Sequence, residues 1–195
     1  MVSTPVFEHA DENNGSDWCL FLDRDGVINT RIMGGYVRSW SEFAFVPGAL
    51  DALAVLAAWA PRIVVVTNQQ GVGKGLMSRD DLAAVHARMT EAITAAGGRI
   101  DGIEVCPHLD AAQCPCRKPQ PGMATRYLRA HPEVLGAASV MVGDTDSDIE
   151  MGRRLATVTG ACRTVRIGPR ADPRADETFT DLAAFAGSLR IAPRA

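Results

Sequence analysis

Short apolar runs alternate with longer amphipathic stretches along the chain. The runs are rich in β-branched residues and stop at polar or acidic turns, as parallel strands buried on both faces do. They predict five strands, at residues 18–22, 62–67, 102–106, 139–142 and 163–167. The stretches between them predict helices at residues 49–58, 78–96, 123–130 and 147–155, followed by a short last helix capped by Thr180.

Strands that alternate with helices predict an α/β fold with a three-layer, doubly wound parallel sheet. Ligands of such sheets bind at the carboxyl ends of the strands. The chain places polar segments at four of these ends, beginning at Asp23, Thr67, Cys106 and Asp144. We therefore expect the functional site at this edge of the sheet.

The length of 195 residues suits one domain with a sizeable core. We predict a flexible N-terminal arm over residues 1–17, a single domain over residues 18–190 and a tail over residues 191–195. The arm lacks the apolar core of a signal peptide, and the longest apolar stretch, residues 49–60, is too short to span a bilayer. We expect a cytoplasmic protein without a membrane partner.

The formal net charge of −3 provides no global field that would attract nucleic acid or anionic lipid. A few local cations must therefore hold any anionic ligand, and we expect a monomer that binds a small-molecule phosphate ester. Of the 20 basic residues, only Lys74 and Lys118 are lysines. A lysine is a compact point charge that the planar guanidinium of arginine cannot copy, so both are candidates for the site.

Carboxylates follow the first and fourth predicted strands. Asp23 and Asp25 stand two residues apart, and two anions so close favour a hard divalent cation such as Mg²⁺. With Mg²⁺ bound, one carboxylate can attack phosphorus while the other delivers a proton to the leaving oxygen. Asp144 is placed to bind the same ion with Asp23, and Asp148 to orient nearby groups. Considered alone, Asp23 and Asp25 are explained equally well as carboxylates that cap a helix or belong to a loop.

The second predicted strand ends in hydrogen-bonding residues. The Thr67 hydroxyl can donate to a phosphoryl oxygen, together with backbone amides of residues 68–70. The Gly-rich segment that follows, residues 71–75, matches neither a P-loop nor a dinucleotide-binding fingerprint. We interpret it as mobile backbone beside the site, from which Lys74 can meet substrate.

A cluster of metal-binding residue types follows the third strand. Three thiols and one imidazole within eleven residues predict a closed tetrahedral site for a structural Zn²⁺. The proposed ligands are Cys106, His108, Cys114 and Cys116. Such an ion would order a loop that otherwise lacks regular hydrogen bonding. Arg117 and Lys118 come directly after the last ligand, so two adjacent cations would lie on a stiffened segment at the same sheet edge.

Together these segments resemble the haloacid dehalogenase superfamily of phosphohydrolases, whose fold is Rossmann-like. The four signature motifs correspond to residues 23–27, 67–69, 117–118 and 143–148, in the family's order. The resemblance implies that Asp23 is the nucleophile, Asp25 the acid and base, and Thr67 and Lys118 the stabilisers of the phosphoryl group. It also implies that Asp23, the Asp25 carbonyl and Asp144 bind Mg²⁺. The intervals between the motifs leave no room for the separate cap domain that many members carry.

The zinc loop resembles the part of this superfamily that contains heptose bisphosphate 7-phosphatases and histidinol-phosphate phosphatases. Segments 35–37, 43–48 and 117–123 are more similar to the heptose enzymes, whereas the short zinc loop is nearer the histidinol-phosphate type. In the heptose enzymes the arginine at the position of Arg117 recognises the sugar. Substrate contacts are expected from Arg24, Tyr36, Asn68, Gln69, Gln70, Lys74 and Arg117.

Three other functions remain open at this point. A general sugar or nucleotide phosphatase would carry the same motifs. A zinc-stabilised binding module would use the acidic pair only to bind metal. A phosphorylatable receiver domain also uses an aspartate, Mg²⁺ and a lysine, but needs neither Asp25 as an acid nor a zinc loop.

Overall fold

The computed structural model describes residues 17–189. The predicted tail and all of the predicted arm except Asp17 lie outside the described residues. Six parallel strands form one sheet in the order β3-β2-β1-β4-β5-β6. They are β1 (Cys19–Leu22), β2 (Arg62–Asn68), β3 (Gly102–Cys106), β4 (Val140–Gly143), β5 (Arg163–Ile167) and β6 (Glu177–Phe179).

Six α-helices connect or follow these strands. They are α1 (Ala49–Trp59), α2 (Gln70–Gly73), α3 (Arg79–Ala95), α4 (Gly122–Ala130), α5 (Asp146–Thr159) and α6 (Leu182–Ser188). Single turns of 3-10 helix occur at Trp40–Glu42, Asp110–Ala112 and Gly136–Ala138. The Ser78–Asp81 capping box, which starts α3 as predicted, satisfies backbone N–H groups that have no partner within the helix.

Helices cover both faces of the sheet. Successive strand residues point to opposite faces, so β1 contributes to two hydrophobic clusters. Leu20 and Leu22 belong to a cluster shared with α1, α3 and α6. Phe21 belongs to a second cluster, shared with α4 and α5. The predicted three-layer α/β fold is confirmed, and residues 17–189 contain no second domain that could act as a cap.

The structure differs from the predicted elements in four places, one of which is that α5 continues to Thr159 instead of ending at residue 155. The short strand β6 was not predicted, because Glu177–Phe179 lacks an apolar run and lies at the sheet edge. The cap of α6 is Asp181 rather than Thr180, since the Asp181 carboxylate accepts a hydrogen bond of 2.7 Å from the Ala184 N–H. Part of the Gly-rich segment, predicted as loop, forms the one-turn helix α2.

The centre of the sheet positions the functional residues. Strand β1 lies between β2 and β4. The chain first adds β2 and β3 on one side of β1, and then adds β4, β5 and β6 on the other side. This change of direction opens a crevice at the carboxyl ends of the central strands, where α/β folds bind their ligands. Among residues 17–189, no helix combines the length and apolarity that crossing a membrane would require.

Candidate active site

The acidic turn after β1 forms the floor of the crevice. Asp23 is 4% exposed, and its backbone N–H donates to the Val142 carbonyl at 2.9 Å, which ties the turn to β4. Gly26 adopts a φ of +97°, a conformation that favours glycine, and a Cβ there would clash with the Asp144 carboxylate. The absence of a side chain at Gly26 therefore allows the segments that contain Asp23 and Asp144 to approach each other.

Lys118 contacts two carboxylates at the floor of the crevice. Its Nζ lies 2.7 Å from Asp23 Oδ1 and 2.6 Å from Asp148 Oδ1, and it donates to the Val66 carbonyl at 2.9 Å. Burial alone would lower the pKa of Lys118, but the carboxylates of Asp148 and Asp23 raise it overall. The ammonium is therefore a permanent positive charge beside the candidate nucleophile.

The Asp23 carboxylate is short of positive charge despite this contact. Burial, and after it the carboxylate of Asp148, raise the pKa of Asp23 to about 7, while Lys118 acts to lower it. Asp23 Oδ1 also accepts the Arg24 backbone N–H at 2.7 Å. An additional cation at this position would favour the ionised form that a nucleophile requires.

The Asp25 side chain is held by hydrogen-bond donors on both oxygens. Arg24 Nη2 lies 2.8 and 3.0 Å from the two oxygens, Asn29 Nδ2 donates at 3.0 Å and Gln69 Nε2 at 2.8 Å. Burial would raise the pKa of Asp25, but the Arg24 charge and these hydrogen bonds lower it overall. Asp25 is therefore held as a carboxylate, the form that accepts a proton.

Arg24 does not line the cavity, contrary to its predicted contact with substrate. Its side chain is fully buried, and its Nη1 lies 3.0 Å from His86 Nε2 on α3. Burial, and then the Arg24 charge, lower the pKa of His86 to about 4, so a neutral imidazole can accept the guanidinium N–H. The guanidinium is thus fixed between His86 and Asp25, where it orients Asp25.

An all-oxygen cluster lies next to Asp23. The carboxylates of Asp23, Asp144 and Asp148 each place an oxygen within 4.8 Å of the other two. Asp148 is fixed in the first turn of α5, where its Oδ2 accepts the Thr145 N–H at 2.9 Å. Carboxylate and carbonyl oxygens are the ligands that Mg²⁺ prefers, so this donor set fits a hard divalent cation.

Arg31 also reaches the carboxylate cluster, and no motif in the sequence predicts this contact. Its Nη2 donates to Asp144 Oδ1 and to the Asp25 carbonyl oxygen, both at 2.7 Å. The same nitrogen lies 3.6 Å from Asp23 Oδ2. The motif spacing carries no signal for this residue, because it stands outside the strand-end segments.

The end of β2 completes the crevice. Gln69 Nε2 donates to Thr67 Oγ1 at 2.8 Å as well as to Asp25, which links the two predicted catalytic residues. Asn68 forms two hydrogen bonds with the backbone of Lys118, at 3.2 and 3.0 Å. Its side chain therefore fixes the Lys118 segment to β2.

A cavity of about 370 Å³ opens above these groups. Its wall includes residues 31–37 and Arg117. The Tyr36 hydroxyl accepts a hydrogen bond of 3.3 Å from Gln70 Nε2, and Arg117 Nε pairs with Asp110 at 2.9 Å. Lys74 does not line the cavity; its Nζ lies 5.3 Å from the Tyr36 ring centre.

The predicted zinc ligands converge beside the crevice. The Sγ atoms of Cys114 and Cys116 are 3.3 Å apart, and that of Cys106 lies 3.5 Å from that of Cys114. His108 Nδ1 lies 3.2 Å from Cys116 Sγ. All four donor atoms lie within 4.8 Å of one another, and three thiols with one imidazole suit a soft tetrahedral metal site.

The structure thus brings most of the predicted residues to one place. Within one crevice lie Asp23, Asp25, Thr67, Lys118, Asp144 and Asp148, and around its opening lie Tyr36, Asn68, Gln69, Gln70 and Arg117. Arg24 is buried behind this crevice and Lys74 lies outside the cavity. The arrangement offers a buried carboxylate, adjacent cations and a second carboxylate, which suits transfer of a phosphoryl group.

Comparisons with known proteins agree with this chemistry. The HAD-hydrolase-like family model matches residues 115–167. A D-glycero-alpha-D-manno-heptose-1,7-bisphosphate 7-phosphatase of Mycobacterium bovis is 49% identical over 176 residues, which cover 90% of this chain and 93% of the relative. The D-glycero-beta-D-manno-heptose-1,7-bisphosphate 7-phosphatase of Pseudomonas putida is 34% identical over 173 residues, which cover 87% of this chain and 98% of the relative.

A solved structure is similar in fold as well as in sequence. It is the D,D-heptose 1,7-bisphosphate phosphatase from B. bronchiseptica, complexed with magnesium and phosphate. The similarity has a TM-score of 0.77 at 31% identity, and covers 87% of this chain and 96% of that one.

Proposed function

Because the chain belongs to the heptose-1,7-bisphosphate 7-phosphatase family of haloacid dehalogenase-like hydrolases, we propose that it removes the 7-phosphate from D-glycero-D-manno-heptose 1,7-bisphosphate. The observation that carries this proposal is the 49% identity over 90% of the chain. The relative at 49% identity acts on the alpha anomer and the one at 34% on the beta anomer. We therefore favour the alpha anomer as the substrate.

The reaction begins with attack of the Asp23 carboxylate on phosphorus. A bond forms between Asp23 and phosphorus while the bond from phosphorus to the O7 oxygen of the sugar breaks. Lys118 and Thr67 stabilise the charge on the phosphoryl oxygens. Lys118 is suited to this role because its ammonium already lies 2.7 Å from Asp23. Asp25, which the ligand-free protein holds as a carboxylate, must first take up a proton, and the negative charge of the bound phosphate favours this uptake. Asp25 then gives that proton to the leaving oxygen.

The second step releases the phosphate. A water molecule gives a proton to Asp25 and attacks phosphorus, which frees Asp23 and inorganic phosphate. The hydrogen bonds of Arg24, Asn29 and Gln69, which lower the pKa of Asp25, favour its action as this base. Asp148 holds Lys118 in place at 2.6 Å.

Two metal ions complete the proposed enzyme. Asp23, the Asp25 carbonyl and Asp144 would hold Mg²⁺, which supplies positive charge for the nucleophile and the phosphoryl group. The cluster of Cys106, His108, Cys114 and Cys116 would hold a structural Zn²⁺, since all four tetrahedral positions come from protein. Thiolate ligands persist in a reducing compartment, which supports a cytoplasmic enzyme in our proposal.

The sugar and its second phosphate would meet the cavity wall. Arg117 is the strongest candidate, because its Nη1 is buried and has no hydrogen-bond partner among residues 17–189. Tyr36 and Gln70 offer a hydroxyl and an amide on the same wall. Lys74 would reach a ligand only by leaving the Tyr36 ring.

Phosphate release by the purified protein with Mg²⁺ tests the proposal. The alpha and beta heptose 1,7-bisphosphates are compared with histidinol phosphate at equal concentration. We expect the highest kcat/KM with the alpha heptose bisphosphate. Faster hydrolysis of histidinol phosphate would overturn the substrate assignment, and no hydrolysis of any ester would overturn the enzyme itself.

A further inference from the structure

The guanidinium of Arg31 lies among the three oxygens proposed to bind Mg²⁺. Its Nη2 is 2.7 Å from both the Asp144 Oδ1 and the Asp25 carbonyl oxygen, and 3.6 Å from Asp23 Oδ2. Lys118 contacts Asp23 at the other oxygen, Oδ1. Arg31 therefore supplies positive charge on the side of Asp23 that Lys118 does not occupy.

Arg31 and a divalent cation cannot use these oxygens at the same time. Mg²⁺ binds its ligands at about 2.0–2.1 Å in a near-ideal octahedron, so it needs the space that Nη2 fills. The two cations would also repel each other at this separation. We propose that Arg31 is the resident cation of the metal-free site and must withdraw when Mg²⁺ binds, so that it sets the affinity of the protein for the metal. This inference rests on the metal site of the proposed function.

The surroundings of Arg31 permit such a withdrawal. Its side chain is 36% exposed, and its Nε has no hydrogen-bond partner among residues 17–189. The segment that follows is exposed and glycine-containing, with Met33 85% exposed and Gly34 at a φ of +69°. The guanidinium can therefore leave by rotation of its own side chain, without disruption of a helix or strand.

The exchange explains how the site tolerates an absence of metal. Three buried or half-buried carboxylates without a cation would repel one another, at a cost to the fold. Arg31 offsets this repulsion in the metal-free protein and is replaced when the ion arrives. Removal of the Arg31 charge should leave these oxygens free to bind Mg²⁺. It should also lower the stability of the protein when Mg²⁺ is absent.

Calorimetric titration with Mg²⁺, in the absence of substrate, tests the exchange. The protein is dialysed free of Mg²⁺ without a strong chelator, so that the Cys/His cluster keeps its metal. We expect Arg31→Ala to bind Mg²⁺ about 10-fold more tightly than the wild type, since a charge-assisted contact of a partly exposed arginine no longer competes. Its melting temperature should lie below that of the wild type without Mg²⁺ and approach it at saturating Mg²⁺.

Two further variants separate the possible failures. Arg38→Ala removes an exposed arginine that pairs with Glu42 outside the crevice, and should leave Mg²⁺ affinity unchanged. Asp144→Asn should weaken Mg²⁺ binding; if it does not, the metal site of the proposed function is wrong. If Asp144→Asn weakens binding but Arg31→Ala binds Mg²⁺ no more tightly than the wild type, the metal site stands and the exchange is refuted.

Discussion

Two clusters of candidate metal ligands lie close together in this molecule, and they are built in different ways. The carboxylate cluster at Asp23 contains its own cations, since Lys118 and Arg31 contact it directly. In the Cys/His cluster, Cys106 ends β3 and the other three residues lie on the loop between β3 and α4, which contains only one turn of 3-10 helix, Asp110–Ala112. The first cluster is therefore organised by protein groups, whereas the second would depend on the ion that we propose it binds.

The two clusters are nevertheless connected through the chain. Cys116 is followed directly by Arg117 and Lys118, so the end of the loop carries a cation of the catalytic crevice. A second attachment comes from Asn68, which forms two hydrogen bonds with the Lys118 backbone. Loss of a metal ion from this loop should thus lower the activity of the crevice without abolishing it.

The largest effect is expected where the chemistry is removed and the fold is kept. Asp23→Asn replaces the proposed nucleophile by an amide that cannot form the phosphoryl intermediate, so kcat should fall by about 10⁴-fold or more. Circular dichroism should show unchanged secondary structure, because the neighbouring cations remain. Asp146→Asn, at an exposed carboxylate on α5, is the matched control and should keep wild-type phosphate release. Retained turnover in Asp23→Asn would contradict the assignment of the nucleophile.

A smaller loss of activity is expected from the second cluster. Cys116→Ser removes one of the four ligands, so the protein should lose bound zinc and melt at a lower temperature. We expect kcat to fall by about 10–100-fold, the range typical when support around a site is lost. Zinc content by atomic absorption and steady-state phosphate release measure the two effects. Cys162→Ala, a buried cysteine outside the cluster, should keep its zinc, and unaltered zinc content in Cys116→Ser would exclude the proposed ligand set.

The smallest effect is expected behind the carboxylate cluster, at His86. Its pKa is lowered to about 4 in the folded protein, below the value of about 6.5 for an exposed histidine. The unfolded chain therefore binds more protons in this interval, so His86 contributes stability above pH 6.5 that is lost as the pH falls toward 4. The contribution amounts to roughly 2–3 kcal/mol across this window.

Two substitutions distinguish the roles of His86. In His86→Gln the amide oxygen can still accept from Arg24, so activity should stay within about 3-fold of the wild type. In His86→Leu the buried Arg24 Nη1 loses its partner, although Nη2 still contacts Asp25, and kcat should fall about 10-fold. Urea unfolding between pH 7 and 4.5 should show a shallower loss of stability in both variants than in the wild type. An identical pH dependence in all three proteins would rule out the buried neutral histidine.

Most of the catalytic crevice could be predicted because its residues follow strands. The topology of a doubly wound sheet brings the ends of β1, β2 and β4 together, so Asp23, Thr67 and Asp144 meet wherever such a sheet forms. The Cys/His cluster could be predicted from spacing alone, since its four ligands lie within eleven residues. At both sites, the positions of the residues in the sequence and their chemical types predict the same site.

The supporting residues could not be predicted in this way. Arg31 reaches the cluster from a loop without a motif, and His86 lies on a helix far from the acidic turn in sequence. Arg24 was named among the residues expected to contact substrate. Its burial depends on how α3 packs against the sheet, which is a tertiary property.

Rapid acid quenching of a turnover mixture tests the central claim most directly. Peptide mass spectrometry then locates any phosphoryl group that is attached to the protein during hydrolysis of the heptose bisphosphate. We predict one phosphoryl group on the peptide that contains Asp23, absent from the Asp23→Asn protein. Hydrolysis at the wild-type rate with no phosphoryl group on that peptide, or with one on another residue, would contradict the account.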